Sequence, residues 1–152
     1  MRNGKTFRRM TVVLAAAFAL AGGAVVTTGS PAMAACSDTG CNGLDPQSAG
    51  CSSGAQTIDD FVAPNGYYLE LRYSPTCYAV WVRVNSQGYW DSSTSFWVER
   101  KDTGGRYSNT FVSGESGSKW TKMWSYRYLV RGGETVNSAS VGNLGTFYTA
   151  WH

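Results

Sequence analysis

Three regimes of hydrophobic patterning divide the chain. Thr11 to Val26 is an uncharged run rich in Ala, Val and Leu, while Ala35 to Gln56 has almost no apolar periodicity, with Leu44 alone in its middle. From Tyr67 apolar and polar residues alternate. In Tyr67–Tyr73 the residues Tyr67, Leu69, Leu71 and Tyr73 share one face, and Tyr68, Glu70 and Arg72 share the other. Ser74-Pro75-Thr76-Cys77 then reads as a turn, after which Val80, Val82 and Val84 alternate with Ala79, Trp81, Arg83 and Asn85. Period-two alternation rich in β-branched and aromatic residues, split by a proline turn, predicts a β-hairpin. Tyr68 and Trp81 lie opposite Leu69 and Val82 and are expected on the solvated face. A Glu70–Arg83 cross-strand pair there is worth at most ~1 kcal/mol.

Further short strands are expected at Ser95–Arg100, Tyr107–Val112, Trp120–Tyr126, Tyr128–Arg131, Thr135–Val141 and Thr146–Trp151. Gly104-Gly105 and Gly132-Gly133 mark turns, and Ser113–Lys119 is a polar loop. No stretch carries a helical stripe of useful length. The pattern predicts an all-β fold, a small antiparallel β-sandwich or barrel, preceded by a disulfide-rich irregular arm at 35–56 that belongs to the same domain as the β region at 57–152.

The apolar run at the start is a targeting signal. Arg2, Lys5, Arg8 and Arg9 form a basic region before it, Ser30-Pro31 breaks any helix, and Ala32-Met33-Ala34 offers small residues at alternate positions. This is the layout of a secretory signal over residues 1–34, and the run is too short and glycine-interrupted for a membrane anchor. Arg8-Arg9 followed by Thr11 is a weak twin-arginine signal, and Met33-Ala34-Ala35 lacks the leucine usual before a lipidated cysteine, which disfavours Cys36 in that role. Removal of the signal changes the charge. The whole chain has 13 Lys+Arg and 10 Asp+Glu, and four of the basic residues leave with the signal. The remaining chain is slightly acidic. No basic stripe is left to follow phosphates, which argues against a nucleic-acid partner. The expected location is extracellular, free or associated with the cell wall, with no membrane contact after cleavage.

Four cysteines, Cys36, Cys41, Cys51 and Cys77, follow the signal. An even number in an exported chain predicts two disulfides, and three pairings exist. The favoured pairing is Cys51–Cys77 with Cys36–Cys41, because the first bridge would pin the arm to the hairpin tip. It closes a loop worth roughly 3–4 kcal/mol, and the local bridge adds ~2 kcal/mol. The spacings are not zinc-like, so no metal and no other cofactor is expected.

Several blocks carry a family resemblance. They are Cys41-Asn42-Gly43-Leu44-Asp45-Pro46-Gln47, Gly50-Cys51, Glu70-Leu71-Arg72-Tyr73-Ser74-Pro75-Thr76-Cys77, Trp81-Val82-Arg83 and Trp120-Thr121-Lys122-Met123. Together they resemble a family of exported bacterial domains, common in actinobacteria, known as domain-of-unknown-function family 2690. Members often carry a further cysteine pair in the C-terminal third, which this chain lacks. The resemblance implies export, a compact β domain and a module that binds or senses; it carries no established activity.

Catalytic chemistry is sparse. His152, the sole histidine, is the last residue and is expected to fray, which leaves Ser-His-Asp and Cys-His arrangements without a base. A glycosidase needs two carboxyls flanking one bond, and the candidates are Asp45, Asp59, Asp60, Glu70, Asp91 and Glu99. Asp45-Pro46 reads as a turn, Asp59-Asp60 as a loop edge or cap, and Glu70 as a surface pair. Aromatic residues are abundant instead: 6 Trp, 9 Tyr and, after the signal, 4 Phe. Trp97 is expected to share a face with Glu99, and Trp120 and Trp124 one with Lys122. Flat rings beside polar side chains suit sugar faces and peptide grooves. The candidate binding residues are Tyr68, Arg72, Trp81, Arg83, Trp97, Trp120 and Trp124, unless these rings build the core. The favoured function is a non-catalytic extracellular module binding cell-wall polysaccharide or peptide. The alternatives are a small carboxylate-dependent hydrolase and a secreted inhibitor or signalling protein.

Overall fold

The computed structural model describes residues 34–86 and 92–152. The secretory signal expected at 1–34 lies outside the described residues except for Ala34, as does Asp91. Among the described residues, nine strands follow an irregular arm whose regular element is a 3-10 turn, Asp38–Cys41. They are β1 (Gln56–Val62), β2 (Tyr68–Ser74), β3 (Ala79–Ser86), β4 (Ser92–Arg100), β5 (Arg106–Phe111), β6 (Gly117–Trp120), β7 (Trp124–Ser125), β8 (Val130–Ser138) and β9 (Gly142–Tyr148). One sheet runs β1-β2-β3-β6, with β7 also on β3; the second runs β5-β4-β8-β9. Each of these strand pairs is antiparallel. The molecule is thus all-β and antiparallel as expected, with two sheets, the sandwich of the two expected forms, and no described helix is long and apolar enough to cross a membrane.

Alternation places the core. Leu69 pairs with Val84 and Leu71 with Val82 on the inner face of the first sheet, while Glu70 pairs with Arg83 and Arg72 with Trp81 on its outer face. The inner residues are fully buried against Phe96, Val98, Phe111 and Val130 of the second sheet. Each such side chain stabilises the fold by about 1.5–3 kcal/mol.

A second cluster lies on the outer face of the first sheet. Cys41, Ala49, Cys51, Cys77, Ala79, Trp81 and Met123 pack together there. The disulfides are Cys36–Cys41 and Cys51–Cys77, the favoured pairing. They hold the arm over the hairpin-tip end of the sheet. Trp81 is consequently only 3% exposed, which corrects the expectation of a solvated ring. Its face is the outer one, but the arm makes a third layer over it.

Other expectations also change. The alternation marks no strand before Tyr67, yet β1 spans Gln56–Val62, with a bulge between Thr57 and Asp59 that breaks its period. Gly132-Gly133 is not a turn but the middle of β8, which joins the two short strands expected there. A Cβ on Gly133 would sit 2.5 Å from the Trp97 ring, and one on Gly132 2.9 Å from Val82. These glycines are cut-outs that let the sheet accept a large ring on one face and close packing on the other. The strand expected at Trp120–Tyr126 is two short ones, interrupted where Met123 turns into the disulfide cluster. Trp120 and Trp124 therefore do not share a face with Lys122. The C-terminus does not fray either: the His152 N–H donates to the Val130 carbonyl at 2.8 Å, and the Val130 N–H donates back at 2.8 Å.

One inward position of β8 is polar. Glu134 lies between Phe96 and Phe147 on the neighbouring strands and is fully buried. Its carboxylate oxygens have no hydrogen-bond partner of normal geometry among the described residues. Burial pushes the carboxyl up to about 7, opposed only weakly by the Thr94 hydroxyl. Between the ordinary value of 4.5 and 7 the folded domain therefore holds a proton that the unfolded chain has released. Stability should fall as pH rises through that window, by roughly 3 kcal/mol at most. Glu134→Gln is expected to remove this slope in urea titrations and to raise the midpoint at pH 8 with little change at pH 4. A midpoint lowered at pH 8 and unchanged at pH 4 would show instead that the folded carboxylate is ionised and paired.

Candidate functional site

The outer face of the first sheet brings together five of the seven expected binding residues. Tyr68, Arg72, Trp81 and Arg83 come from β2 and β3, and β6 places Trp120 directly opposite Arg83. Their roles differ. Trp81 is sealed beneath the arm. Arg72 donates to the Thr57 hydroxyl and the Ala55 carbonyl, each at 2.6 Å, and so holds β1 and the end of the arm. Tyr68 and Arg83 stay half-buried beyond the arm, and Trp120 is half-buried at its edge.

Glu70 organises this face. It is 4% exposed and accepts from Thr57 at 2.8 Å, from Arg83 at 2.6 and 2.9 Å, and from Asn85 at 2.9 Å. The Glu70–Arg83 pair is the cross-strand pair that the alternation predicts, but Glu70 is buried by its partners rather than the surface residue expected. Burial pushes its carboxyl up, but the Arg83, Thr57 and Asn85 hydrogen bonds and the Arg83 charge outweigh that and hold it below the usual glutamate range. Asn85 in turn accepts from the Ser118 hydroxyl on β6. A chain of hydrogen bonds thus runs from the centre of the sheet to its edge.

At that edge lies a shallow cleft of about 280 Å³, lined by Asp45, Asn109, Ser118, Lys119 and Trp120. Three parts of the molecule meet there: the arm, β6 of the first sheet and β5 of the second. The Trp120 indole N–H donates to Asp45 Oδ2 at 2.7 Å, which fixes the orientation of the ring. Asp45 Oδ1 accepts from the Gln47 and Ser48 N–H groups at 2.9 Å each, the turn expected of Asp45-Pro46. Burial raises the Asp45 carboxyl, but the Ser48, Trp120 and Gln47 donors prevail and keep it below the ordinary aspartate value. The Asn109 amide reaches over from β5 to the Trp120 carbonyl at 2.8 Å. Lys119 Nζ donates to the Thr110 carbonyl at 2.9 Å and to Glu115 at 2.5 Å.

The remaining expected residues lie elsewhere. Trp97 shares the outer face of the second sheet with Glu99, but it lies flat on Gly133 with the Arg106 guanidinium 4.5 Å above it and is 6% exposed. The solvated platform expected of Trp97 is thus covered by its own neighbours. Trp124 stacks on Tyr107 at 4.3 Å with Arg100 4.8 Å from its ring, at one end of the core. His152 Nε2 lies 3.0 Å from Asp59 Oδ2, and no described Ser, Thr or Cys side chain hydrogen-bonds to that ring. Asn85, Asn109, Ser118 and Lys119 carry no signal in the sequence. They become site residues only because β6 pairs with β3 and β5 folds over beside it.

Glu70→Gln should lower stability at pH 7 by about 1–3 kcal/mol, since Arg83 loses its charged partner. Because the folded carboxyl titrates below 4.5, its contribution is full above that pH and is lost as pH falls through the folded value. Urea midpoints measured from pH 7 to pH 2 should therefore drop less steeply in acid for the variant than for the natural chain. Parallel acid limbs would show that the ionisation of Glu70 adds nothing to folding.

The model of the family described as "Protein of unknown function (DUF2690)" matches residues 39–132, more than half of the chain. No curated protein and no solved structure matches it. The matched span includes the second cysteine onward, the Glu70 network and every residue that lines the cleft; the chain belongs to the DUF2690 family.

Proposed function

We propose that this chain is a non-catalytic extracellular module that binds a cell-envelope glycan or peptide at the Trp120 cleft. The observation that carries the reading is the Trp120 ring, locked by Asp45 beside an amide, a hydroxyl and an ammonium group. An oriented indole next to a few fixed polar groups suits a sugar ring, whose apolar face stacks while its hydroxyls find partners. Two disulfides favour an oxidising location outside the cytoplasm. The electrostatics favour binding over hydrolysis. Asp45, which lines the cleft, Glu115, bonded to its Lys119, and Glu70, behind it, are all held below their ordinary values by donors, whereas a general acid must keep its proton at working pH.

The test is retention of the signal-free chain on insoluble peptidoglycan, chitin and cellulose, with the supernatant assayed for released sugar or peptide. Retention without release on one of these is expected. Trp120→Ala should weaken it about tenfold or more, and Trp120→Phe less so. Trp97→Ala, compared at equal folded fraction, should leave it unchanged because that ring is covered. Release of product would overturn the reading in favour of a hydrolase, and absence of retention on all three would overturn it in favour of a protein partner.

A further inference from the structure

The four cysteine sulfurs form one cluster, all within 4.8 Å of one another. They come from the start of the arm, its 3-10 turn, its far end and the hairpin tip. Within each bridge the sulfurs are bonded, but the bridges also touch: Cys36 Sγ lies 3.7 Å from Cys51 Sγ. Access is unequal. Cys41, Cys51 and Cys77 are 0% exposed, whereas Cys36 is half-buried and offers the cluster's route to solvent.

Two bridges in contact are not independent. A thiolate attacks a disulfide sulfur, and the rate depends on access and on which sulfur is within reach. Proximity fixed by a fold replaces a bimolecular encounter with an intramolecular one and supplies a large effective concentration. We propose that the two disulfides form a single thiol–disulfide exchange site. It takes a dithiol reductant at Cys36 and passes the opening on to Cys77 by shifting the pairing to Cys36–Cys51.

The steps balance. One thiolate of the dithiol attacks Cys36 Sγ, the Cys36–Cys41 bond breaks, and Cys41 leaves as a thiolate and takes a proton. The second thiol of the reductant attacks the mixed disulfide and expels the Cys36 thiolate, so the reductant departs oxidised by two electrons. The Cys36 thiolate then attacks Cys51 Sγ across the 3.7 Å contact. The Cys36–Cys51 bond forms, the Cys51–Cys77 bond breaks, and Cys77 leaves as a thiolate and is protonated. This last step is an isomerisation with no net redox change. It removes the covalent tie between arm and hairpin tip while the arm keeps a bridge of its own. The arm is what seals Trp81 and carries Asp45 to Trp120, so the exchange reports directly on the layer that borders the cleft.

The Cys41→Ser variant tests this without added reductant. Oxidised Cys41→Ser has one free thiol, which the natural bridges would leave on Cys36. After equilibration at pH 8 and alkylation under native conditions, peptide mapping is expected to find the label on Cys77 as well as Cys36. The Cys77 signal should reach about a tenth or more of the Cys36 signal, with a matching Cys36–Cys51 bridge. In urea above the unfolding midpoint the Cys77 label should appear far more slowly, because the contact is gone. Label confined to Cys36 beside an intact Cys51–Cys77 bridge would overturn the proposal. If Cys41→Ser does not fold, limited reduction of the natural chain with dithiothreitol decides the matter. Protein alkylated at Cys41 and Cys77 supports the exchange, and protein alkylated only at Cys36 and Cys41 overturns it.

Discussion

The Cys51–Cys77 bridge fixes a segment that has little means of fixing itself. The arm contributes little beyond Ala49, Pro46 and its own half-cystines to the buried surface and is otherwise mostly Gly, Ser and other small or polar residues. Such a segment cannot offset its ordering entropy by burial. Tied to the hairpin tip, it starts close to its binding surface, and individually weak hydrogen bonds then suffice. Asn42 accepts from the Ser125 N–H at 2.7 Å, Gly43 donates to the Met123 carbonyl at 2.9 Å, and Asp45 accepts from Trp120 at 2.7 Å. The Asp45–Trp120 bond joins positions 75 residues apart. A hydrogen bond worth about 1 kcal/mol net does not close a loop of that length alone. Everything on the outer face of the first sheet depends on this attachment, including which rings are covered and which remain available.

The arm divides that face in two. At the hairpin-tip end it converts an outward strand face into interior, so Trp81 and Ala79 behave as core. Beyond the arm the face stays polar and is organised by Glu70. That carboxylate has two oxygens and shares them among Thr57, Arg72, Arg83 and Asn85, which spends nearly all of its accepting capacity. The consequence is rigidity. Asn85 is held at one end by Glu70 and at the other by Ser118, so a wall of the cleft is positioned by the middle of the sheet.

Local chemistry made part of this legible. The alternation in β2 and β3 was unambiguous, so their register, the Glu70–Arg83 pair and the inner aliphatic face could all be read. Gly104 also stands at a turn, with φ +65. The misreadings have two physical sources. Alternation separates the two faces of a strand but does not report whether a further layer covers one of them, which is why Trp81 and Trp97 look exposed in the sequence. A glycine pair has the same appearance whether it permits a turn or makes room for a neighbour, and Gly132-Gly133 is the second case. The bulge in β1 removes the period that would have revealed it. Of the cleft, Trp120 and Asp45 were visible as residue types, but Asn109 and Ser118 belong to different sheets and meet only through topology.

The distribution of acidic groups completes the picture of the cleft. Asp45 and Glu70 have neighbours that donate hydrogen bonds, and each such bond favours the charged form. Glu134 has apolar neighbours and one weak donor, and it is the carboxyl pushed up to about 7. The group best able to keep a proton near neutral pH thus faces the interior of the sandwich, between Phe96 and Phe147, while Asp45 at the cleft and Glu70 behind it serve as fixed acceptors. A proton donor has to reach the atom it protonates, whereas a fixed acceptor needs only to present its lone pairs, or to orient a neighbour as Asp45 orients Trp120. The same division explains why the acidic groups could not be ranked by sequence: Asp45, Glu70 and Glu134 differ less in residue type than in what the fold aims at them.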